Sequence, residues 1–245
     1  MKRKSGLDLA ELPDHSPTGL EAPIETGSTA IWSRRAVLVA VGLFALAPRF
    51  VLGSVFQCGP KLRIAVLAAL TGPLANLQGK WYCEGVGQAV KTANNRGCRV
   101  ELRVQDADSS PSNLLRAAIT SERRDGASVI IAPFGPAAGR LVAEKVKSAL
   151  LLDISEASPA GSRPANLVTL PYALFFTADP EKTAESFRTL GRVAGGIVLE
   201  TIQSSDPGTI SSPSGMVDAM ARRKFSSPKG TLALDPTSGA FKFVK

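Results

Sequence analysis

The hydrophobic pattern of residues 62–141 alternates short apolar runs with longer amphipathic segments. The first apolar run covers Leu62–Ala69 and ends in the turn Thr71-Gly72-Pro73. Val129–Ile131 is a second apolar run, and a Gly/Pro turn over residues 133–136 separates it from a helical segment. Continuous apolar strands that alternate with helices are typical of a buried parallel sheet with right-handed crossovers. The pattern predicts an α/β fold, and both turns fall at the carboxyl ends of strands, where such sheets bind ligands.

Other segments predict the remaining elements. Apolar residues at helical spacing between Trp81 and Ala93 indicate a helix, and Gly97 is placed to cap its carboxyl end. This first helix would cover Gln78–Asn95. The further predicted elements are a strand from Val100 to Val104, a helix over Leu114–Arg123, a strand over Leu150–Ile154, and a late hairpin of Thr231–Leu234 and Phe241–Val244.

Charge and composition disfavour nucleic-acid binding. The chain of 245 residues has a formal net charge of +8, but its basic residues are scattered and no run of five occurs. Aromatic residues make up 6% of the chain, which supplies few stacking platforms for bases. We therefore expect a solvated basic surface and no nucleic-acid partner.

The sequence also lacks the residues that most catalytic sites need. Its only histidine is His15, which precedes a predicted export signal. This excludes Ser-His-Asp hydrolysis, Cys-His proteolysis and nearly all zinc-hydrolase designs in the rest of the chain. No GxGxxG follows the first strand, and no GxxxxGK[ST] occurs. We predict that the protein is not an enzyme and has no catalytic residue, metal or cofactor.

Asp106 and Asp108 follow the second predicted strand and are the one carboxylate pair that suggests chemistry. They could serve a metal or an acid/base reaction, but no third ligand accompanies them. A role in the turn and at the start of the next helix is favoured. Turnover that is lost on changing either aspartate would revive an enzymatic interpretation.

Residues 1–53 are predicted to consist of an N-terminal extension followed by a segment that resembles an export signal. Ser33-Arg34-Arg35 precedes twelve apolar residues, Ala36–Ala47. As a helix they would span roughly 18 Å, less than the ~30 Å hydrocarbon core of a membrane. The paired arginines resemble the twin-arginine motif, so we expect export to the periplasm, with cleavage after Gly53 or tethering by an uncleaved signal. Residues 1–32 are either a long n-region of the signal or extra residues that result from placing the start of translation too far upstream.

Three cysteines fit an exported protein. Cys83 and Cys98 would lie at opposite ends of the first helix, roughly 22 Å apart, which is too far for a disulfide. Cys58 and Cys98 both precede strands that start at the same edge of the sheet. We predict a Cys58–Cys98 disulfide and an unpaired Cys83; lipidation of Cys58 is the alternative, although the residues before it make a poor lipobox.

Four blocks of the chain resemble the leucine/branched-chain amino acid-binding family: "LRIAVLAALTGPLANLQG", "GVGQAVKTANNRG", "VELRVQDADSSPSN" and "GASVIIAPFGPAAGRLVAEKV". Members are periplasmic receptors of ABC importers, with the type I periplasmic-binding fold. The match covers residues 62–178 and is specific in the order and spacing of its blocks. A weaker match, "FRTLGRVAGGIVLETIQSSDPG" and the hairpin after it, lies near the end.

The resemblance implies a domain division in which most of one lobe is absent. Residues 61–178 correspond to the N-terminal, Rossmann-like ligand-binding lobe. Family members then cross into a second lobe, but here the chain passes from Asp179-Pro180 almost directly to a late helix at Phe187. Residues 179–245 would be a C-terminal helix and β-hairpin remnant, and the second lobe would be truncated.

The resemblance also implies the ligand contacts. Pro136 replaces a serine that in the family binds the ligand carboxylate, which leaves backbone N–H groups as donors. The acidic residue that holds the ligand amino group belongs to the missing lobe. A serine at position 155 or 158 would be explained equally well if its hydroxyl were solvated in a loop or capped the end of a helix. The implied binding residues are Ala137, Ala138, Ser155, Ser158 and Tyr172.

The implied function is that of a periplasmic substrate-binding protein for an ABC importer of branched-chain or related amino acids or small polar solutes. Its partners would be a small amino acid ligand and an ABC permease in the inner membrane. The alternative is a truncated, non-transporting remnant of the same family, or a protein that serves only for interactions.

Overall fold

The computed structural model describes residues 62–72, 74–108, 110–156, 164–176, 179 and 182–245. The predicted export signal, Cys58 and Ser158 lie outside these residues. Within the described part of the chain, no helix is both long and apolar enough to cross a membrane.

A parallel sheet of five strands forms the centre of the fold, with the order β2-β1-β3-β4-β5. Alternate residues of β1 belong to different cores: Ile64 and Val66 to one face, Ala65 and Leu67 to the other. Because both faces are buried, the strands are continuously apolar, and the α/β prediction is confirmed. The strands are β1 (Leu62–Ala68), β2 (Val100–Asp106), β3 (Val129–Ala132), β4 (Leu150–Asp153) and β5 (Leu167–Thr169).

Helices connect the first four strands. The first helix differs from its prediction at its start, because a π-helical turn over Ala75–Gly79 precedes the regular helix. The helices in chain order are α1 (Lys80–Asn95), α2 (Pro111–Arg123) and α3 (Gly135–Lys145). Apolar residues of α2 and α3 cover one face of the sheet, and those of α1 cover the other.

A long helix, α4 (Thr183–Gln203), packs closely along α1. Glycines permit the contact: a Cβ on Gly85 would lie 2.0 Å from the Arg188 backbone oxygen, and one on Gly191 would lie 2.1 Å from that of Tyr82. No side chain fits in either place, so the two backbones approach as closely as glycine allows.

The C-terminal residues add helix α5 (Pro213–Ala221) and an antiparallel sheet of three strands, ordered β6-β7-β8. The predicted hairpin is confirmed as β7 (Gly230–Leu234) and β8 (Phe241–Val244), with β6 (Lys224–Ser227) pairing beside β7. The Thr169 N–H at the end of β5 donates to the Gly239 oxygen at 2.8 Å, and Thr169 forms a parallel bridge with Ala240. The C-terminal segment thus pairs with the last residue of β5, on the side away from β4.

The five-stranded sheet is the only parallel sheet among the described residues. After β5 these residues form α4, α5 and the small antiparallel sheet, which fits a truncated second lobe. The division of the chain near residue 178 stays a prediction.

The cysteines agree with the predicted pairing as far as the structure describes them. Cys98 is disulfide-bonded, whereas Cys83 is a free thiol. Cys58, the predicted partner of Cys98, lies outside the described residues. Burial raises the pKa of Cys83 to about 12, so this thiol is protonated and unreactive at neutral pH.

Candidate functional site

A cavity of about 640 Å³ lies at the carboxyl end of the parallel sheet. Every strand of that sheet contributes to it through the loop that follows the strand. The loops contribute Ala69, Asp108, Pro133–Pro136, Ile154–Glu156 and Tyr172. The other walls come from the start of α1 and the start of α4. This is the position at which open α/β sheets bind small molecules.

Asp153, the last residue of β4, is fully buried next to the cavity wall. Its Oδ1 accepts a hydrogen bond from the Gly135 N–H at 3.2 Å, and its Oδ2 accepts one from the Ser155 hydroxyl at 2.7 Å. Burial raises the pKa of Asp153 to about 6, against the opposing effect of the hydrogen bonds from Ser155, Gly135 and Phe134. A carboxylate of the protein itself therefore occupies the N-terminus of α3.

This arrangement concerns Ala137 and Ala138, whose backbone N–H groups were predicted to bind the ligand. Because α3 begins at Gly135 with Phe134 as its N-cap, the Ala138 N–H is the first that helix geometry bonds within the helix. Ala137 is exposed and Ala138 is buried, and neither belongs to the described lining of the cavity. The lining residues of this loop precede them.

Two of the predicted side chains do come together at the cavity. Ser155 and Tyr172 both line it, and the Tyr172 N–H donates to the Ser155 backbone oxygen at 3.1 Å. The Tyr172 hydroxyl donates to the carboxylate of Glu156, and this hydrogen bond raises the pKa of Tyr172. Ser158, the remaining predicted residue, lies outside the described residues.

An aromatic cluster forms a further wall of the cavity. The Tyr172 and Phe176 rings meet edge to face with centroids 5.1 Å apart, and Phe176 meets Phe187 in the same way at 4.5 Å. Sequence reasoning missed both phenylalanines as site residues. The aromatic stretch after β5 was the available signal for Phe176, whereas Phe187 reaches the cavity only because α4 packs there.

Asp106 and Asp108 hold the loops around the cavity mouth, as the turn interpretation predicted. Asp106 accepts hydrogen bonds from the Leu70 N–H at 3.0 Å and the Thr71 hydroxyl at 2.6 Å. Asp108 accepts from the Ser110 N–H at 2.7 Å. These bonds lower the pKa of both carboxyls. The N-cap of α2 is Ser110, however, and neither aspartate takes that position.

The lining of the cavity is acidic. Asp108 and Glu156 line it, with Asp153 beside them, and the described lining contains no lysine or arginine. No described group of three or more histidine, cysteine, aspartate or glutamate residues is placed to hold a metal ion.

No protein-family model matches this sequence, and no curated protein matches it either. Several solved structures are similar in fold. An ABC transporter protein from Rhodopseudomonas palustris matches with a TM-score of 0.58 and 13% identity, over 75% of this chain and 94% of that one. A branched-chain amino acid ABC transporter periplasmic ligand-binding protein from Burkholderia xenovorans matches with a TM-score of 0.53 and 11% identity, over 74% and 87%. The chain has the fold of these transporter binding proteins.

A periplasmic binding protein from Burkholderia mallei agrees, with a TM-score of 0.54 and 9% identity, over 74% of this chain and 87% of that one. The type I periplasmic-binding fold implied by the sequence blocks is thereby confirmed. The similar structures are transport proteins by description, which is the class that the sequence analysis favoured over enzymes.

Proposed function

We propose that the protein is an exported solute-binding protein that binds a small molecule at the carboxyl end of its parallel sheet and presents it to an ABC permease in the inner membrane. The observation that carries the proposal is the cavity of about 640 Å³ lined by the loops after all five parallel strands. Its volume falls within the range of small-molecule sites.

We propose the periplasm as the location of the protein. Its proposed ligand is a branched-chain or related amino acid, or another small solute. The twin-arginine-like segment around Arg34 and Arg35 supports export. The likeness to periplasmic ligand-binding proteins supports the transport role. Ser155 and Tyr172 are the proposed ligand contacts within the described residues.

A non-transporting remnant is the competing proposal, and two observations favour it. The described residues contain no second parallel sheet that could close over the cavity. Pro136, at the start of α3, offers no backbone N–H to a ligand. A binding protein that closes by a hinge encloses its ligand between two lobes. A single lobe makes fewer contacts with the ligand and should therefore bind it more weakly.

We expect a ligand to stabilise the full-length protein and a plug in the cavity to abolish that effect. Thr183 lines the cavity at the start of α4, so Thr183→Trp would fill the space that the ligand needs. A ligand at about 100 times its Kd should raise the melting temperature by roughly 5 °C or more, because it binds only the folded state. The measurement is a thermal-shift series with amino acids and small amines.

Thr92→Trp is the matched control, because Thr92 is exposed on α1 and does not line the cavity. It should retain the ligand-induced shift. A cooperative melt that none of the ligands moves would support the remnant instead.

A further inference from the structure

Among the residues that the structure describes, the carboxylates around the cavity lack basic partners. Among the described residues, Asp108, Glu156 and Asp153 form no ion pair with lysine or arginine; their described hydrogen-bond donors are neutral groups such as the Tyr172 and Ser155 hydroxyls. Neutral donors leave a carboxylate's charge in place. Lys229, which is not a lining residue, donates to the backbone oxygen of Phe176 at 3.3 Å. The cavity therefore presents negative charge without a compensating cation in its described lining.

The usual position for a ligand carboxylate is already taken. The N-terminus of α3 faces the cavity, but its Gly135 N–H donates to Asp153, its Pro136 has no N–H, and Ala137 lies outside the described lining. A ligand carboxylate at this helix end would have to approach the buried Asp153 carboxyl group. Like charges at such short range oppose binding.

The rest of the lining suits an alkyl group and a cation. Leu74, Leu114 and Ile154 supply aliphatic surface, and the ring cluster of Tyr172, Phe176 and Phe187 supplies aromatic surface. Aliphatic surface favours a branched hydrocarbon, and aromatic faces attract ammonium groups.

From this arrangement we infer that the cavity selects small organic amines with a branched apolar body, and that it binds them more tightly than the amino acids of the same side chain. The inference rests on the proposed solute-binding function and specifies its ligand class. The ammonium group would lie near Glu156 and the aromatic cluster, and the alkyl group would lie against Leu114 and Ile154.

Three compounds that share the isobutyl side chain of leucine test this directly. They are leucine, 3-methylbutylamine, which lacks the leucine carboxylate, and 4-methylpentanoate, which lacks the ammonium group. We expect titration calorimetry of the full-length protein to show that the amine binds at least tenfold more tightly than leucine. The carboxylate should show no binding, because nothing in the described lining neutralises it.

Glu156→Gln is the decisive variant, because the amide keeps an acceptor for the Tyr172 hydroxyl and removes the charge. It should weaken amine binding about tenfold. Glu144→Gln removes one charge from an exposed position on α3 outside this cavity, and it should leave amine binding unchanged. An unchanged melting temperature of each variant without ligand would show that both remain folded.

The possible results separate the inference from the function beneath it. Leucine binding as tightly as the amine, or unchanged amine binding in Glu156→Gln, would overturn the inference and leave solute binding standing. If none of the three compounds bound, and other amino acids also failed, both proposals would fall.

Discussion

Replacing Gly191 by alanine is expected to destabilise the folded protein by about 3 kcal/mol or more, because the added methyl group has no space. A Cβ at this position would lie 2.1 Å from the Tyr82 backbone oxygen of α1. Main-chain atoms of a helix cannot move aside as a flexible side chain can, so α1 and α4 would have to separate. Chemical denaturation of the variant, measured against the unaltered protein, would give the difference.

Gly196 provides the control within the same helix. A Cβ there would meet no atom within 4 Å, so Gly196→Ala should stabilise the protein by up to about 1 kcal/mol through helix propensity alone. Opposite signs for the two substitutions would support the close packing of α1 and α4. Equal stabilisation by both would mean that the helices are not in this contact.

The second large effect is expected in the pH dependence of stability, and Asp153 causes it. Its pKa is raised from 3.8 to about 6, first because of burial, so the folded protein binds the proton more tightly than the unfolded chain. The resulting stability is fully present below about pH 3.8 and is lost as the pH rises through 6. The difference corresponds to roughly 3 kcal/mol.

Asp153→Asn should remove this dependence. Its amide can accept the hydrogen bond from Gly135 through oxygen and donate to the Ser155 hydroxyl through nitrogen. Denaturation curves at several pH values between 4 and 7 should therefore show the variant gaining stability over the unaltered protein as the pH rises. Asp218→Asn, at an exposed position on α5, should keep the original pH profile. Parallel profiles for the Asp153 variant and the unaltered protein would contradict the proposed burial.

The parallel sheet could be predicted because its physical cause is local in the sequence. β1, β3 and β4 are buried on both faces, so each is a continuous apolar run that stands out from its neighbours. β6 could not be predicted in this way. Its four residues, Lys224–Ser227, contain one apolar side chain, and the strand forms because it pairs with β7.

The candidate site was predictable only in part, for a related reason. Ser155 and Tyr172 follow consecutive strands of the sheet, and parallel strands bring such positions together. The role of Asp153 depends on its register opposite Ala132, which brings it to the start of α3. Phe187 comes from a helix that packs from elsewhere in the chain. These contacts arise from tertiary structure, and no short sequence pattern records them.

The bridge from Thr169 to Ala240 has a consequence for the order of events during synthesis. The free side of Thr169 in β5 acquires its partner only after α4, α5, β6 and β7 have been synthesised, because Gly239 and Ala240 follow these elements in the sequence. Until then the nascent sheet has an unpaired edge, and such edges promote association between chains. A chaperone that shields this edge during translation would therefore benefit the newly made protein more than the finished one.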